Sequence, residues 1–501
     1  MRVQKTGRRT SLVLIAIALA VVVGAGLLVE LRNPFPALAF AVQRAPDRLP
    51  SSTAVDPRVV ASRLPVLSLY VPPADLHDPG RGLLTNPLER GRDWERQGFV
   101  SYFDRGALQF GAPAGVRIHG GKSREHSPVQ SFRLYFRRRY GARQFGRDLL
   151  FEGRRDPLRR LVVHNDLRED LNGRWWHFVN PLAYDIARRL GAVVPDTHPA
   201  LVYLNGERQG AYVLTEHIMS PGFLESRFGH ANFTTADRRT TEALRRRIRA
   251  QTPLTADALT GLVDVDNLTT WFIAMLYCGT TDAFQGLMLR DDTLETSPWF
   301  WVVWDMDHSF MDLYGRAPVS WQHDTFRTLL RQPEVRSEIV TRLLAEDPAY
   351  ARTFKARLAE ALNHQLTPAF LFERFEHYAT LARMLHVRDT SYLPILHEFF
   401  RNRTAWLFER AATALPDGAS WPCEVEAPGD VTLRVDGYET GSAFRGRCFT
   451  GTSMRVEAVT RGDRVVRGWR VNGQPTAPGV SSLEVPVSGP VRVEPILLQE
   501  S

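Results

Sequence analysis

Two aspartates stand directly beyond a fully apolar run: Trp299-Phe300-Trp301-Val302-Val303-Trp304 leads into Asp305-Met306-Asp307-His308. Burying an unpaired carboxylate is costly, and a divalent cation is the usual compensation. Mg2+ takes one or two protein carboxylates together with phosphate oxygens of a substrate, which suits a pair at this spacing. The plainer alternative is a surface turn. A second cluster, Arg117-Ile118-His119-Gly120-Gly121-Lys122-Ser123-Arg124, offers the complementary half of such chemistry. Glycine has no side chain to keep a phosphate away from the backbone amides of a turn. Arg117, Lys122 and Arg133 would add positive charge. Here the plainer alternative is a β-hairpin closed by a tight Gly-Gly turn. The third candidate is Asp282, within Gly279-Thr280-Thr281-Asp282-Ala283-Phe284-Gln285-Gly286, which follows an apolar stretch and precedes Asp305 by 23 residues. On its own it reads as a turn or helix-capping residue.

These residues need elements to hold them. From Val66 the pattern is β-like, with period-two alternation in Val66–Val71, Phe99–Phe103, Gly115–His119 and Ser131–Phe136. The order Leu201–Leu204, Asn205-Gly206, Gly210–Leu214 predicts a hairpin. Helices are expected at Asn180–Leu190, at about 223–228 and 236–250, and from Val265 to Tyr277 behind Asp264 or Asp266. Thr325 to Leu415 reads as mostly helical. After Pro416 the composition turns to short alternating strands punctuated by Gly, Asp and Pro, the pattern of a small β domain of sandwich size over 416–501.

Composition places limits on function. The chain has 501 residues, with 44% apolar and 24% charged, which is ordinary for folded domains. Its net charge of +8 is spread without a dense basic block, so nucleic acid is not an expected partner. Only Lys5, Lys122 and Lys355 are lysines among 63 basic residues, which leaves 60 arginines and singles out Lys122 in the glycine turn. Cys278 lies in an apolar stretch, whereas Cys423 and Cys448 flank a strand-like segment and could pair in an oxidising compartment. Arg2, Lys5, Arg8 and Arg9 precede an apolar run from Leu12 to Leu28. That order predicts a membrane anchor over 1–30 with the N-terminus inside and the remainder extracytoplasmic; a cleaved signal segment is the alternative. Residues 31–62 suit a linker.

Protein kinases place a catalytic aspartate a similar short interval before a metal-binding one, with strands between them. One carboxylate takes the acceptor hydroxyl's proton and the other holds the metal that bridges the phosphates. The ordered set Gly115–Phe136, Leu161–Asp166, Tyr203–Ile218, Val265–Leu268, Thr281-Asp282 and Trp304–Asp307 is similar to the CotH kinase family, and Gly82–Tyr102 resembles the β-rich segment that often precedes that domain. The resemblance spans roughly 60–400. It implies an α+β, divergent kinase-like domain over 63–415, β-rich first (lead-in 63–112) and helical later. It also implies binding of ATP with Mg2+ or Mn2+ and phosphorylation of Ser or Thr on an exported or cell-envelope protein. Carried over, Asp282 is the catalytic aspartate, Asp305 the metal ligand with Asp307 or Gln285 beside it, and Glu216 lies near the adenine. Arg117, Gly120, Gly121, Lys122, Ser123 and Arg133 fall over the phosphates. One departure stands out. Gln130 occupies the position of the family's lysine before the Ser-Phe-Arg strand, and Lys122 is the candidate replacement. A nucleotide-binding pseudokinase and a structural envelope protein using the β domain are therefore alternatives. A glycosyltransferase using Asp305-Met306-Asp307 as an Asp-x-Asp metal site ranks lowest, because no repeated βαβ pattern surrounds it.

Overall fold

The computed structural model describes residues 64–141, 147–151, 158–282, 286–315, 317–460, 464–476, 479 and 481–499. The apolar run Leu12–Leu28 and the linker lie outside these residues, as does Gln285. No helix among the described residues is long and apolar enough to cross a membrane.

The first half closes into a seven-stranded barrel in the order β1-β2-β3-β4-β5-β9-β8. Its strands are β1 (Val66–Tyr70), β2 (Arg96–Asp104), β3 (Ala107–His119), β4 (Ser131–Tyr135), β5 (Arg160–His164), β8 (Thr197–Leu204) and β9 (Glu207–Glu216). Every ladder is antiparallel except β1–β8. The alternation seen in the sequence sorts the faces: Leu67, Leu69, Val116, Leu134, Leu161, Val163 and Leu214 pack inside and are fully buried. Their alternates on β3, β4 and β5, including Arg117, His119, Arg133, Tyr135 and His164, therefore stand on the outer face. The Asn205-Gly206 hairpin forms as expected, with Leu204 opposite Glu207 and both turn residues at positive φ. The Gly120-Gly121 turn does not close directly. Between β3 and β4 lie eleven residues, 120–130, which include the single helical turn α2 (Ser123–His126); a short helix α1 (Pro73–His77) precedes them in the chain.

A two-stranded ribbon, β6 (Arg168–Glu169) with β7 (Trp175–Trp176), leads to α3 (Val179–Arg189). Beyond the barrel come α4 (Pro221–Phe228), α5 (Arg238–Arg249) and α6 (Val265–Cys278). Asp264 caps α6, its side chain accepting the Asn267 amide at 2.9 Å. A sheet of β10 (Phe233–Thr235), β11 (Leu287–Asp291) and β12 (Phe300–Val302) follows. The helices α7 (Thr325–Leu330), α8 (Val335–Glu346), α9 (Pro348–Glu360), α10 (Pro368–Met384) and α11 (Leu393–Ala414) fulfil the helical expectation for 325–415. α9 runs on into one π turn, Ala361–Gln365.

From Ser420 onward the described elements are strands. They are β13 (Ser420–Glu426), β14 (Val431–Val435), β15 (Tyr438–Gly441), β16 (Ala443–Phe449), β17 (Ser453–Thr460), β18 (Arg464–Val471), β19 (Gln474–Pro475), β20 (Ser482–Pro486) and β21 (Val491–Gln499). They form two sheets, β16-β13-β21-β18-β19 and β15-β14-β17-β20, around one core that includes Val425, Leu433, Val456 and Trp469. Cys423 and Cys448 are free thiols on neighbouring strands, both facing that core. This β region is docked on the helices. The Lys355 ammonium donates to the Thr450 carbonyl at 2.8 Å, and the His364 ring is stacked on Tyr438 and Phe444 at 4.8 and 5.1 Å.

Candidate active site

The carboxylates converge because three backbone segments are tied together. α6 ends at Gly279, whose φ of +63° turns the chain left-handed toward Asp282. The Thr281 amide then donates to the His308 carbonyl at 3.1 Å, and the Phe310 amide to the Cys278 carbonyl at 2.8 Å. These two bonds stitch the Asp282 loop to the segment that carries Asp305 and Asp307. α3 supplies the third tie. Asn180 and Tyr184 lie one turn apart on one face; Tyr184 Oη accepts the Asp305 amide at 2.9 Å and Asn180 Oδ1 accepts the Met306 amide at 2.5 Å. Asn180 Nδ2 donates to Asp166 Oδ1 at 2.7 Å. Asp305 itself sits at a φ of +59°, a conformation that costs a non-glycine residue free energy and is held by these bonds.

Asp307 is paired with Arg168 of β6, and His164 lies 3.7 Å from Asp166. Burial, and then the neighbouring Asp307 charge, push the Asp305 carboxyl up to about 7. Burial also raises Asp307, against the pull of Arg168. For His164, burial alone would lower the imidazole, but the nearby carboxylates of Asp166, Asp305 and Asp307 carry it upward. Asp166 Oδ2 is buried and makes no hydrogen bond. Three acids thus share one guanidinium and the imidazoles of His164 and His308, the second of which burial holds toward its neutral form, and carry more negative charge than the surrounding protein balances. A hard divalent cation on Asp305 and Asp307 fits this donor set. No group of three Asp, Glu, His or Cys side chains with metal-binding geometry occurs among the described residues, so oxygens from elsewhere would complete the coordination.

Opposite the carboxylates lies the outer face of β3, β4 and β5. Its side chains read in rows: His119 beside Ser131, Arg117 beside Arg133, and Gly115 beside Tyr135. Trp304, one residue before Asp305, meets His119 edge-on at 6.4 Å, which brings this face to the site. Arg133 contacts His119 Nδ1 at 2.7 Å, and its own Nε is buried without a partner. Burial followed by the Arg133 charge drives His119 well below its ordinary value. A cavity of about 180 Å³ opens here, lined by Arg90, Trp94, Arg117, Gly120, Arg133 and Tyr135 among others. Arg117 is held by Glu95 at 2.6 Å and stacks on Tyr135 at 4.5 Å. Glu95 also takes Arg137 at 2.8 Å and Arg139 at 2.6 Å, so one buried acid organises three arginines.

The sequence candidates separate accordingly. Asp282, Asp305 and Asp307 come together, and Arg117, Gly120 and Arg133 border one basic cavity. Gly120 sits at a φ of +115°, where a side chain is strained, and a Cβ there would lie 2.3 Å from Ser123 Oγ. Gly121 and Lys122 are exposed and do not line the cavity. Glu216 is buried at the end of β9, where it accepts from Arg227 at 2.7 Å and from the Asp196 amide at 2.8 Å. Gln130 turns its amide back to the Arg124 carbonyl at 3.3 Å. Reasoning from the sequence missed Asp166, Arg168, Asn180, Tyr184 and Glu95 as site residues. His164-Asn165-Asp166 was the one signal for the first of them, a polar triplet ending an apolar strand.

The family model described as CotH kinase protein matches residues 116–245 and 240–409, more than half of the chain. This chain belongs to the CotH kinase family. The matched region begins inside β3, so the lead-in 63–112 lies outside it although β1 and β2 complete the same barrel. A solved structure, titled "Crystal structure of A Helicobacter pylori proinflammatory kinase CtkA", is 11% identical with a TM-score of 0.28, covering 60% of this chain and 95% of that one. No curated protein matches the chain. The protein is thus a kinase-like CotH family member of mixed α/β build, and the family points to phosphoryl transfer.

Proposed function

We propose that this CotH family protein is an extracytoplasmic, membrane-anchored kinase that moves the γ-phosphoryl group of ATP to a Ser or Thr hydroxyl on an exported or envelope protein. One observation carries the reading: buried acids in excess of their cationic partners, on the 305–307 loop, face a sheet surface whose charges are nearly all arginine. A metal-bound polyphosphate would neutralise both sides. Asp305 and Asp307 would hold Mg2+ or Mn2+, which supplies charge neutralisation on the phosphates when bound. Arg133, with its unpartnered Nε, is the side chain best placed to meet phosphate oxygens; Arg117 is already engaged by Glu95. Asp282, on its own loop, would orient the acceptor hydroxyl and take its proton as the oxygen–phosphorus bond forms and ADP leaves. The anchoring segment is the run Leu12–Leu28.

A nucleotide-binding pseudokinase is the second reading, favoured by Gln130, whose side chain turns back onto the loop and presents no charge to the site. The glycosyltransferase alternative gains nothing, since β10, β11 and β12 pair antiparallel rather than in βαβ units. Incubating the full chain with γ-labelled ATP and Mg2+ or Mn2+ separates the first two. Label should appear on protein and fall by at least about a hundredfold in Asp282→Ala. Binding of ATP with no label in the unmutated chain would establish the pseudokinase instead.

A further inference from the structure

Arg403 of α11 is the most completely buried cation among the described residues, yet no carboxylate pairs with it. Its five donors are spent on neutral oxygens. Nε donates to the Tyr277 carbonyl at 3.2 Å and one Nη to the Leu276 carbonyl at 2.5 Å. That same nitrogen reaches Thr325 Oγ1 at 2.7 Å, and the other Nη takes the Trp321 and His323 carbonyls at 2.8 and 2.9 Å. Trp406 stacks on the guanidinium at 4.6 Å. Burial draws its pKa down to about 9, which still leaves it charged at neutral pH.

The acid whose charge acts on it, Asp324, is paired with Arg410, and placing a guanidinium in the interior with no carboxylate in contact is expensive, so its position requires a compensating role. Leu276 and Tyr277 are near the last residues of α6, where unsatisfied carbonyls and the helix dipole concentrate negative partial charge. Two residues later the chain turns at Gly279, and three after that it reaches Asp282. A Cβ at Gly279 would come within 3.2 Å of Phe399 and 3.5 Å of Arg403, so the turn is packed directly against the clamp. The 321–325 segment, which lies downstream of the Asp305–Asp307 loop, is fastened to the same guanidinium.

We propose that Arg403 is the positioning residue for Asp282: by gripping the end of α6 and the 321–325 segment together, it sets where the Asp282 carboxylate stands relative to Asp305. The role assigned to Asp282 rests on the kinase reading, whereas the clamp can be tested without it. Lysine at this position keeps the charge but cannot reach five acceptors in a planar fork. In the full chain, Arg403→Lys should speed hydrogen exchange in 276–282 and 321–325 while leaving β3, β4 and β5 unchanged. The KM for ATP should stay within about twofold, while kcat falls about 10- to 100-fold, the cost of misplacing a reacting group by roughly an ångström. In an Asp282→Asn background the same change should cost nothing further, because the group being positioned is gone. Unchanged exchange at 276–282 overturns the clamp whether or not phosphate is transferred. Accelerated exchange with unchanged kcat, or losses that multiply in the double variant, overturns the positioning role. If the unmutated chain transfers no phosphate, the kinase reading fails and the exchange result alone decides the clamp. Should Arg403→Lys not fold, Thr325→Val removes a single acceptor and should show the same pattern with a smaller loss, about threefold in kcat.

Discussion

Where the β strands dock on α9, the buried Lys355 ammonium donates to the Thr450 and Asp417 carbonyls at 2.8 and 3.2 Å. Asn363 exchanges bonds with the Arg447 backbone at 2.8 and 3.2 Å, and the His364 ring stacks on Tyr438 and Phe444, leaving its Nε2 as a buried atom of the seam without a hydrogen-bond partner. In the cleft the accounting is reversed. Asp166 Oδ2, Arg133 Nε and His308 Nδ1 are all buried without a hydrogen-bond partner, and three acids lie around one guanidinium. The seam satisfies most of its polar groups internally, while the cleft leaves several for something that binds. Buried polar groups stabilise when paired and cost free energy when not, so the two regions should respond oppositely to substitution.

The largest contrast comes from Asp305→Asn. It should abolish phosphoryl transfer, by about a thousandfold or more, yet raise the melting temperature of the metal-free chain at pH 8. The reason is that a buried carboxyl raised to about 7 is ionised there against its environment, and the amide removes that cost, about 2–4 kcal/mol. A lowered melting temperature would break the comparison.

His177 gives the next effect. Burial holds its imidazole down at about 4, below the ordinary value near 6.5. The unfolded chain therefore binds the extra proton first, and stability falls as pH drops from about 6.5 toward 4, by about 3 kcal/mol for this group. His177→Phe should flatten that part of the stability–pH curve measured by urea unfolding; an unchanged slope would show that the site is open to water.

The smallest effect belongs to the seam. Lys355→Met should lower stability by about 1–3 kcal/mol by orphaning two carbonyls. Label transfer per folded molecule should be unchanged, since no cleft residue is touched. Loss of transfer out of proportion to stability would mean that the β strands act on the site.

Much of this was legible in the sequence. Period-two alternation located the barrel strands, Asn205-Gly206 located a hairpin, and the apolar run ending at Trp304 pointed to Asp305 and Asp307. What escaped had long-range causes. Asn180 reads as an ordinary helical residue, and only the fold brings it to the Met306 amide, 126 positions away. Arg403 looks like one more helical arginine in an arginine-rich chain until its five acceptors are seen. The scarcity of lysine singled out Lys122, but among the described residues the lysine that is buried, with its ammonium donating to two carbonyls, is Lys355. Glu95 could not have been expected to gather arginines from β3 and from the stretch beyond β4, because that meeting depends on the register in which β2, β3 and β4 pair.

Barrel closure also has a mechanical side. β1, the first described strand, is bonded antiparallel to β2 through five residue pairs and parallel to β8 through four. A pull arriving from the residues before 64 would run along the β1 axis and load both ladders in shear. Hydrogen bonds loaded that way share the force rather than parting one at a time, so the barrel would meet a pull on its first described strand with a resistant geometry while the cleft, built on other strands, keeps its shape.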